Sequence, residues 1–343
     1  MKVYIKDGTV LKKSVAEVFA DLGYSDLKNR KVLVKPNMLR AAQPMECAAT
    51  DPELVAATVA VLDDMGAKIT VGDNPIPQKV NELEVAKRCG FFEASQGHLK
   101  SLGQRPRKVR LQNQYVKETY VSSEILDTDL LVSLPKFKTH MLTTLSVAIK
   151  NSFGIVPGGL KPYLHYLCPT LNDFCQLLID IYNVRPPEII MTDCLNIRDA
   201  KAGYFKPNLI IAGDHGFAVD YVCGLIAGVK AANDPVLRLA VNQKLFNPEQ
   251  VEIVGQYETL KGFSLPFYFP LKNRLAGAGQ RSWAKYILRW HRPVLNRKKC
   301  TKCLACEEVC PKKAIRNLTI NTKQCIRCYC CIEICPSGAM QRR

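Results

Sequence analysis

The sequence predicts an α/β fold, a mostly parallel sheet with helices on both faces, joined to a small separate unit at the C-terminus. Three observations carry that prediction. Apolar runs alternate with amphipathic stretches from Lys2 to about Gly255, the pattern of a sheet covered by helices. Val32-Leu33-Val34 and the stretch from Lys68 to Gly72 read as strands flanking one helix, and the crossover between them makes the pair parallel. Nine of the fifteen cysteines fall in the last 44 residues, which sets that segment apart.

Val32-Leu33-Val34 is short, wholly apolar and rich in β-branched residues, as a strand buried on both faces requires. Thr50-Asp51-Pro52-Glu53 has the form of a capping box with proline in the first turn. Leu54, Val55, Val59, Leu62 and Met65 then recur at helical spacing until Gly66. Further strands are expected from Leu130 to Ser133, Glu188 to Thr192, Asn208 to Ala212 and Gln250 to Val254, and helices over 79–89, 170–183, 216–227 and 235–245.

With 343 residues, 47% apolar and 23% charged, the chain can bury a sizeable core; disorder, collagen and coiled coil are excluded. Forty-eight Lys and Arg against 31 Asp and Glu leave a formal charge of +17, which favours an anionic substrate or partner. No uncharged apolar run approaches the roughly 18 to 20 residues that span a bilayer. Met1 to Lys13 places charges where a signal peptide needs an apolar region, so a cytoplasmic location is expected.

In a reducing compartment the cysteine cluster reads as metal ligation. Cys300, Cys303, Cys306 and Cys310 precede Pro311, and Cys325, Cys328, Cys331 and Cys335 repeat the same spacing before Pro336, 25 positions later. The repeat implies two pseudo-symmetric halves. Three thiolates two residues apart wrap three irons of one cubane, and the fourth reaches the other half. Cys300, Cys303, Cys306 and Cys335 are therefore assigned to one [4Fe–4S] cluster, and Cys325, Cys328, Cys331 and Cys310 to a second. Zinc sites draw on two ligand pairs across a longer loop, which this spacing does not offer. The tail resembles a bacterial two-cluster ferredoxin, which implies a small α+β unit. Oxidised clusters of charge about −2 each would bring the formal +17 to about +13. Ile315, Ile320, Ile326, Ile332 and Ile334 are expected to supply the apolar shell. Cys330 is read as a bystander, and the dispersed Cys47, Cys89, Cys168, Cys175, Cys194 and Cys223 as buried structural thiols.

Ligands of open α/β sheets collect beyond the carboxyl ends of the strands. Those ends carry Lys35-Pro36-Asn37, Asp73-Asn74-Pro75, Pro135-Lys136-Phe137-Lys138-Thr139-His140 and Asp193. Ser146 to Gly159 then forms a helical segment with Lys150 and Asn151 that runs into a glycine-rich turn including Gly154, followed by Lys161 and His165. Backbone amides of such a turn suit a phosphate or carboxylate. The run matches neither dinucleotide nor P-loop fingerprints, and a turn needing positive φ is the alternative.

Lys35-Pro36-Asn37, the helix beginning Thr50-Asp51-Pro52-Glu53-Leu54-Val55, Gly72-Asp73, Pro135-Lys136-Phe137-Lys138-Thr139-His140 and Lys150-Asn151-Ser152-Phe153-Gly154 together resemble the DUF362 family over roughly residues 30 to 225, whose members often carry a ferredoxin-type tail. The resemblance implies this architecture and iron–sulfur electron transfer. Where members commonly have a glycine-rich loop after the strand ending at Asp193, this chain reads Cys194-Leu195-Asn196-Ile197-Arg198-Asp199-Ala200-Lys201-Ala202-Gly203.

Three segments are expected: an α/β domain over 1–257, a connector over 258–298 and the cysteine-rich unit over 299–343. Residues 259 to 299 hold ten Lys or Arg and no acid, and Trp283, Tyr286, Ile287 and Trp290 fall on one helical stripe. That helix reads as a docking element, as a peripheral membrane contact through 280–292, or as a contact for an acidic redox protein such as a ferredoxin or flavodoxin. No nucleic-acid partner is expected, since no reading module is present.

The functional expectation is an iron–sulfur oxidoreductase of low-potential, anaerobic-type metabolism, with an anionic small molecule bound at the strand ends. Lys35, Asn37, Lys136, Lys138, Thr139, Lys150, Asn151 and Gly154 would hold it. His140 or His165 would move protons, and Asp73 and Asp193 would orient these groups or hold a metal. The alternatives are a non-enzymatic carrier or adaptor that docks a partner redox enzyme, and a cluster-maturation protein with labile iron. A flavin would suit a single-electron donor, but no fingerprint for one is present.

Overall fold

A computed structural model describes residues 1–76, 78, 80–266 and 292–342. Seven strands form the central sheet: β1 (Lys2–Asp7), β2 (Lys31–Pro36), β3 (Lys68–Val71), β4 (Leu130–Leu134), β5 (Ile189–Cys194), β6 (Leu209–Gly213) and β7 (Glu252–Val254). Their order is β7-β1-β6-β5-β4-β2-β3. β3, β2, β4 and β5 run parallel, β6 runs against both of its neighbours, and β7 runs parallel to β1.

Alternate residues of each central strand feed different cores, which is why these strands read as unbroken apolar runs. Leu33, Leu131, Ile190 and Ile211 pack on one face with α4 (Leu171–Val184), α5 (Gly216–Ile226) and α6 (Pro235–Asn242). Val32, Val34, Leu130, Val132, Ile189 and Met191 pack on the other with α1 (Leu11–Asp21), α2 (Pro52–Asp64) and α3 (Glu82–Arg88). Each fully buried aliphatic side chain contributes about 1.5–3 kcal/mol.

Local chemistry sets the helix starts. The Asp51 side chain caps α2, accepting from the Glu53 amide, while Thr50 is diverted: its hydroxyl donates to the Leu134 carbonyl and accepts from the Asn37 amide. The cap is thus one residue later than the sequence pattern suggests. Asn81 caps α3, a Thr170–Asp173 capping box starts α4, and Asp234 caps α6. The hairpin pairing Pro106–Arg110 with Glu118–Ser122 escapes sequence reading because its strands are mostly polar and exposed.

The connector helix expected around Trp283 to Trp290 lies outside the described residues. Tyr257, Leu260, Phe263 and Leu265 still pack against the larger domain's core, so that domain extends past the expected 257. No described helix is long and apolar enough to cross a membrane.

The C-terminal unit begins before 299, because Pro293–Leu295 pairs with Met340–Arg342. Ile315–Arg316 pairs with Thr319–Ile320, and short helices span Ala305–Glu308 and Cys330–Glu333. The 25-residue repeat is written into the backbone. Lys302 and Leu304 have left-handed φ of 57° and 63°, and Arg327 and Tyr329 have 57° and 59°. The Asn296 amide donates to the Ala339 carbonyl at 2.8 Å, and the Asn321 amide to the Ala314 carbonyl at 2.7 Å, so each half closes on the other. Ile315 and Ile334 are buried and Ile320 and Ile332 partly buried in the unit's core, but Ile326 is 38% exposed and lies outside that shell.

Leu33→Ala, in a central strand with 1% exposure, should lower stability by about 2–5 kcal/mol, measured as a shift of the urea midpoint with unchanged slope.

Candidate functional site at the strand ends and the cysteine-rich unit

The connection from β2 leads through α2 to β3 on one side, and the connection from β4 leads to β5 on the other. The switch point between β2 and β4 is where such sheets open a crevice, and the functional side chains gather there. Two buried ion pairs secure it. Lys35 after β2 and Asp73 after β3 are 2.9 Å apart with side chains 1% and 3% exposed. Lys136 after β4 and Asp193 in β5 are 2.8 Å apart and equally buried. Asp193 also accepts from the Asp51 amide at 2.6 Å, and Asp73 from the Met38 amide at 2.8 Å. Burial works against the Lys136 ammonium, but Asp193 outweighs it and holds its pKa above the ordinary value.

A cavity of about 50 Å³ opens beside these pairs. The larger domain lines it with Asn37, Asp73, Lys138, His140, Lys150 and Lys161, and the C-terminal unit with Cys328, Tyr329, Cys330 and Glu333. Ile76 joins the unit's apolar core, which fixes the two parts against each other. Lys138 donates to Asn37 Oδ1 and the Ala48 carbonyl, both at 2.7 Å. Lys161 donates to the Asn74 carbonyl. Lys150 has no hydrogen-bond or ion-pair partner among the described residues; its ammonium lies 4.9 Å from the Phe153 ring centre. Burial pushes Lys138 down to about 8 and Lys161 to about 7, and lowers Lys150 with Glu333 opposing.

His140 Nδ1 accepts the Leu142 and Thr143 amides at 3.2 and 3.1 Å, which places the ring proton on Nε2. His165 stacks on Phe174 at 4.1 Å, and burial together with Lys150 holds its pKa well below 6.5. Both histidines line the cavity.

The structure therefore divides the sequence-predicted residues. Asn37, Asp73, Lys138, His140, Lys150, Asn151, Gly154 and His165 line the cavity. Lys35, Lys136 and Asp193 do not: they are spent on internal ion pairs rather than on an anion. Thr139 lies in a short hairpin and is not part of the lining either. Asp73 and Asp193, expected to orient the neighbouring groups or to hold a metal, are each paired with a buried lysine. The glycine-rich turn is no amide cradle. Position 154 requires glycine because a Cβ there would strike Lys35 Nζ and Asp73 Oδ1, and Gly158 and Gly159 open a 3₁₀ turn. Asp199 organises the charged loop after β5 by accepting the Lys201, Gly203 and Ser264 amides, and that loop stays off the cavity.

Sequence reasoning passes over Lys161 and Glu333 as site residues. Lys161 could have been found from its place just after the glycine-rich turn. Glu333 has no local signal, since only docking of the C-terminal unit brings it to the cavity.

The cysteines suit an iron–sulfur group. Burial and the neighbouring Cys335 and Cys303 sulfurs push the Cys306 thiol up to about 11, and burial with Cys328 and Cys310 also raises Cys325. Thiolates that repel one another in this way become stable when cations sit between them. The Lys302, Ala314 and Met340 amides donate to the Cys300, Cys310 and Cys335 sulfurs at 3.2–3.4 Å, as bound thiolates require.

Residues 32–224 match the family described as a domain of unknown function (DUF362), and residues 293–316 match the 4Fe–4S binding domain. A thylakoid-associated protein of Synechocystis sp. is 25% identical over 248 residues, 70% of this chain and 76% of that protein. Among solved structures, the lactate racemase apoprotein of Thermoanaerobacterium thermosaccharolyticum aligns with 66% of this chain at TM-score 0.45 and 14% identity. A Thermotoga maritima protein aligns with 65% at TM-score 0.45 and 16% identity. The chain covers 57% and 59% of those two structures.

Two predictions follow from this geometry. Gly154→Ala should split the Lys35–Asp73 pair and cost about 3–5 kcal/mol in thermal or urea unfolding, the scale of a broken buried pair. Unfolded Lys138 and Lys161 keep their protons to about 10.5 but the folded ones only to about 8 and about 7. The unfolded chain thus binds more protons in that window, and the contribution of these lysines to ligand-free stability should rise with pH across it. Replacing both by Met should flatten that rise in a urea titration series.

Proposed function

Because the chain belongs to the DUF362 family and carries a 4Fe–4S binding unit, we propose that it is an iron–sulfur oxidoreductase that exchanges electrons with an anion bound between its two domains. The carrying observation is the shared lining of the cavity, in which Lys138, Lys150 and Lys161 face the Cys328-Tyr329-Cys330 loop. We read two [4Fe–4S] clusters, on Cys300, Cys303, Cys306 and Cys335 and on Cys325, Cys328, Cys331 and Cys310. The second cysteine run has the same left-handed turns and short helix as the run inside the matched 4Fe–4S segment, which supports that count. When bound, such clusters supply single-electron transfer at low potential.

The protein's own residues have separate tasks in this reading. Lys138, Lys150 and Lys161 hold the anion. His140, with its proton on Nε2, donates to it, and neutral His165 accepts or relays a proton. The walls of Leu39, Ile76, Phe153 and Pro162 keep water out. The adaptor alternative finds less support, since Lys161 is 5% exposed and Lys138 and Lys150 are half-buried, poorly placed to meet another protein's surface.

Arg297, Lys298, Lys299 and Lys302 are exposed around Cys300 and Cys303 and suit an acidic redox partner such as a ferredoxin or flavodoxin. A reducing cytoplasm suits fifteen cysteines with no disulfide among them. Membrane association of the kind that the Synechocystis relative's name records would be peripheral, through the basic connector 280–292.

Anaerobic purification should yield about eight iron and eight sulfide per chain, with two interacting reduced signals by electron paramagnetic resonance. Cys303→Ser and Cys328→Ser should each degrade one cluster and leave far-UV circular dichroism of the larger domain unchanged; colourless protein with full activity would sink the reading. Reversing Lys298, Lys299 and Lys302 to Glu should slow reduction by an acidic ferredoxin by about tenfold or more at low salt, with the difference shrinking as ionic strength rises.

A further inference from the structure

The charges of the inter-domain cavity, a site whose position rests on the reading above, carry a statement about what fills it. Three ammonium groups line it: Lys138, Lys150 and Lys161. Two carboxylates face them, but Asp73 is committed to Lys35. Glu333 is the remaining one, and it reaches both Lys138 and Lys150 electrostatically. With all three lysines protonated, and before the charge of any cluster on the neighbouring Cys328 is counted, three positive groups against one negative group leave an excess of two positive charges.

The donors also lack acceptors. An ammonium carries three donors. Lys138 spends two on neutral oxygens, Lys161 is held by one carbonyl, and Lys150 meets only ring faces among the described residues. Donors without acceptors, an excess of two charges and room of about 50 Å³ all describe one kind of occupant.

We propose that the cavity is a binding site for a compact dianion held by Lys138, Lys150 and Lys161, and that Glu333 sets its affinity by competing for the same lysines. The shared chemistry is two negative charges on oxygens within a few ångströms of one another. An inorganic oxyanion and a short dicarboxylate both offer it.

Anaerobically purified protein with its iron–sulfur content intact is titrated by calorimetry with sulfate, oxalate and perchlorate at low ionic strength. Sulfate or oxalate should bind at least about tenfold more tightly than perchlorate, a monoanion of similar bulk. The tighter of the two assigns the occupant to the oxyanion or the dicarboxylate class. Lys150→Met and Lys161→Met should each weaken that binding by about tenfold or more, and Glu333→Gln should tighten it. Lys206→Met, at an exposed position, should leave it unchanged, which separates the site from general attraction to a basic protein. If Lys161→Met does not fold, Lys150→Met and Glu333→Gln carry the test. Neither sulfate nor oxalate binding more tightly than perchlorate, or dianion binding indifferent to Lys150→Met, would overturn the proposal. So would a Lys150→Met variant that shifts a cluster midpoint potential while the wild type binds neither dianion, since the lysines would then be counter-charges to the iron–sulfur group alone. The redox reading fails separately: tight dianion binding with no change in the cluster resonance spectrum and no turnover would keep the site and remove its role in electron exchange.

Discussion

Two lysine–carboxylate pairs at the carboxyl edge of the sheet are the constraint on which the rest of the molecule is built. Lys35–Asp73 ties the end of β2 to the end of β3, and Lys136–Asp193 ties β4 to β5, so four parallel strands finish in one cross-linked layer. Charges this deeply buried cost several kcal/mol each to desolvate and persist only when every remaining lone pair is used. Here most are: Asp73 Oδ2 takes the Met38 amide while its Oδ1 has only the Lys35 ammonium beside it, and Asp193 takes the Asp51 and Leu195 amides. Asn151 links the layer to the short helix behind it through Lys35, Asn37 and Ser133. Because these groups are paired with one another, they form the floor of the crevice beneath the residues that line it.

That division sorts the lysines of the crevice into two kinds. Lys35 and Lys136 are structural cations with dedicated carboxylates. Lys138, Lys150 and Lys161 sit one layer further out, with neutral oxygens, ring faces and a carbonyl for company. The same elements deliver both kinds, since Lys136 and Lys138 are two residues apart and Lys150 precedes Gly154, whose missing side chain makes space for the Lys35–Asp73 pair.

Most of the architecture was legible in the sequence because it rests on local rules. Apolar runs located six of the seven strands, including β6, whose antiparallel direction no pattern announces. The N-terminal α1 carries Val15, Val18 and Phe19 inward but has no side-chain cap, so its signal is weak. The candidate site was half legible. Residue types at strand ends pointed to the right edge of the sheet, yet a run such as Lys136-Phe137-Lys138 cannot say which lysine finds a carboxylate, because Asp193 approaches from a strand 57 residues away. The contribution of Tyr329, Cys330 and Glu333 depends on how one folded unit docks on another, and nothing in their own neighbourhood encodes that.

The closure of each half of the cysteine-rich unit on the other has a consequence for biogenesis. Pro293–Leu295 finds its strand partner only in Met340–Arg342, and Asn296 finds its acceptor only in Ala339. During synthesis the larger domain can fold while this segment is still a string of exposed thiols, vulnerable to oxidation and to stray metal capture. The cysteine-rich unit can therefore close only once its last strand has been made, by which time all of the larger domain's residues are already available to fold.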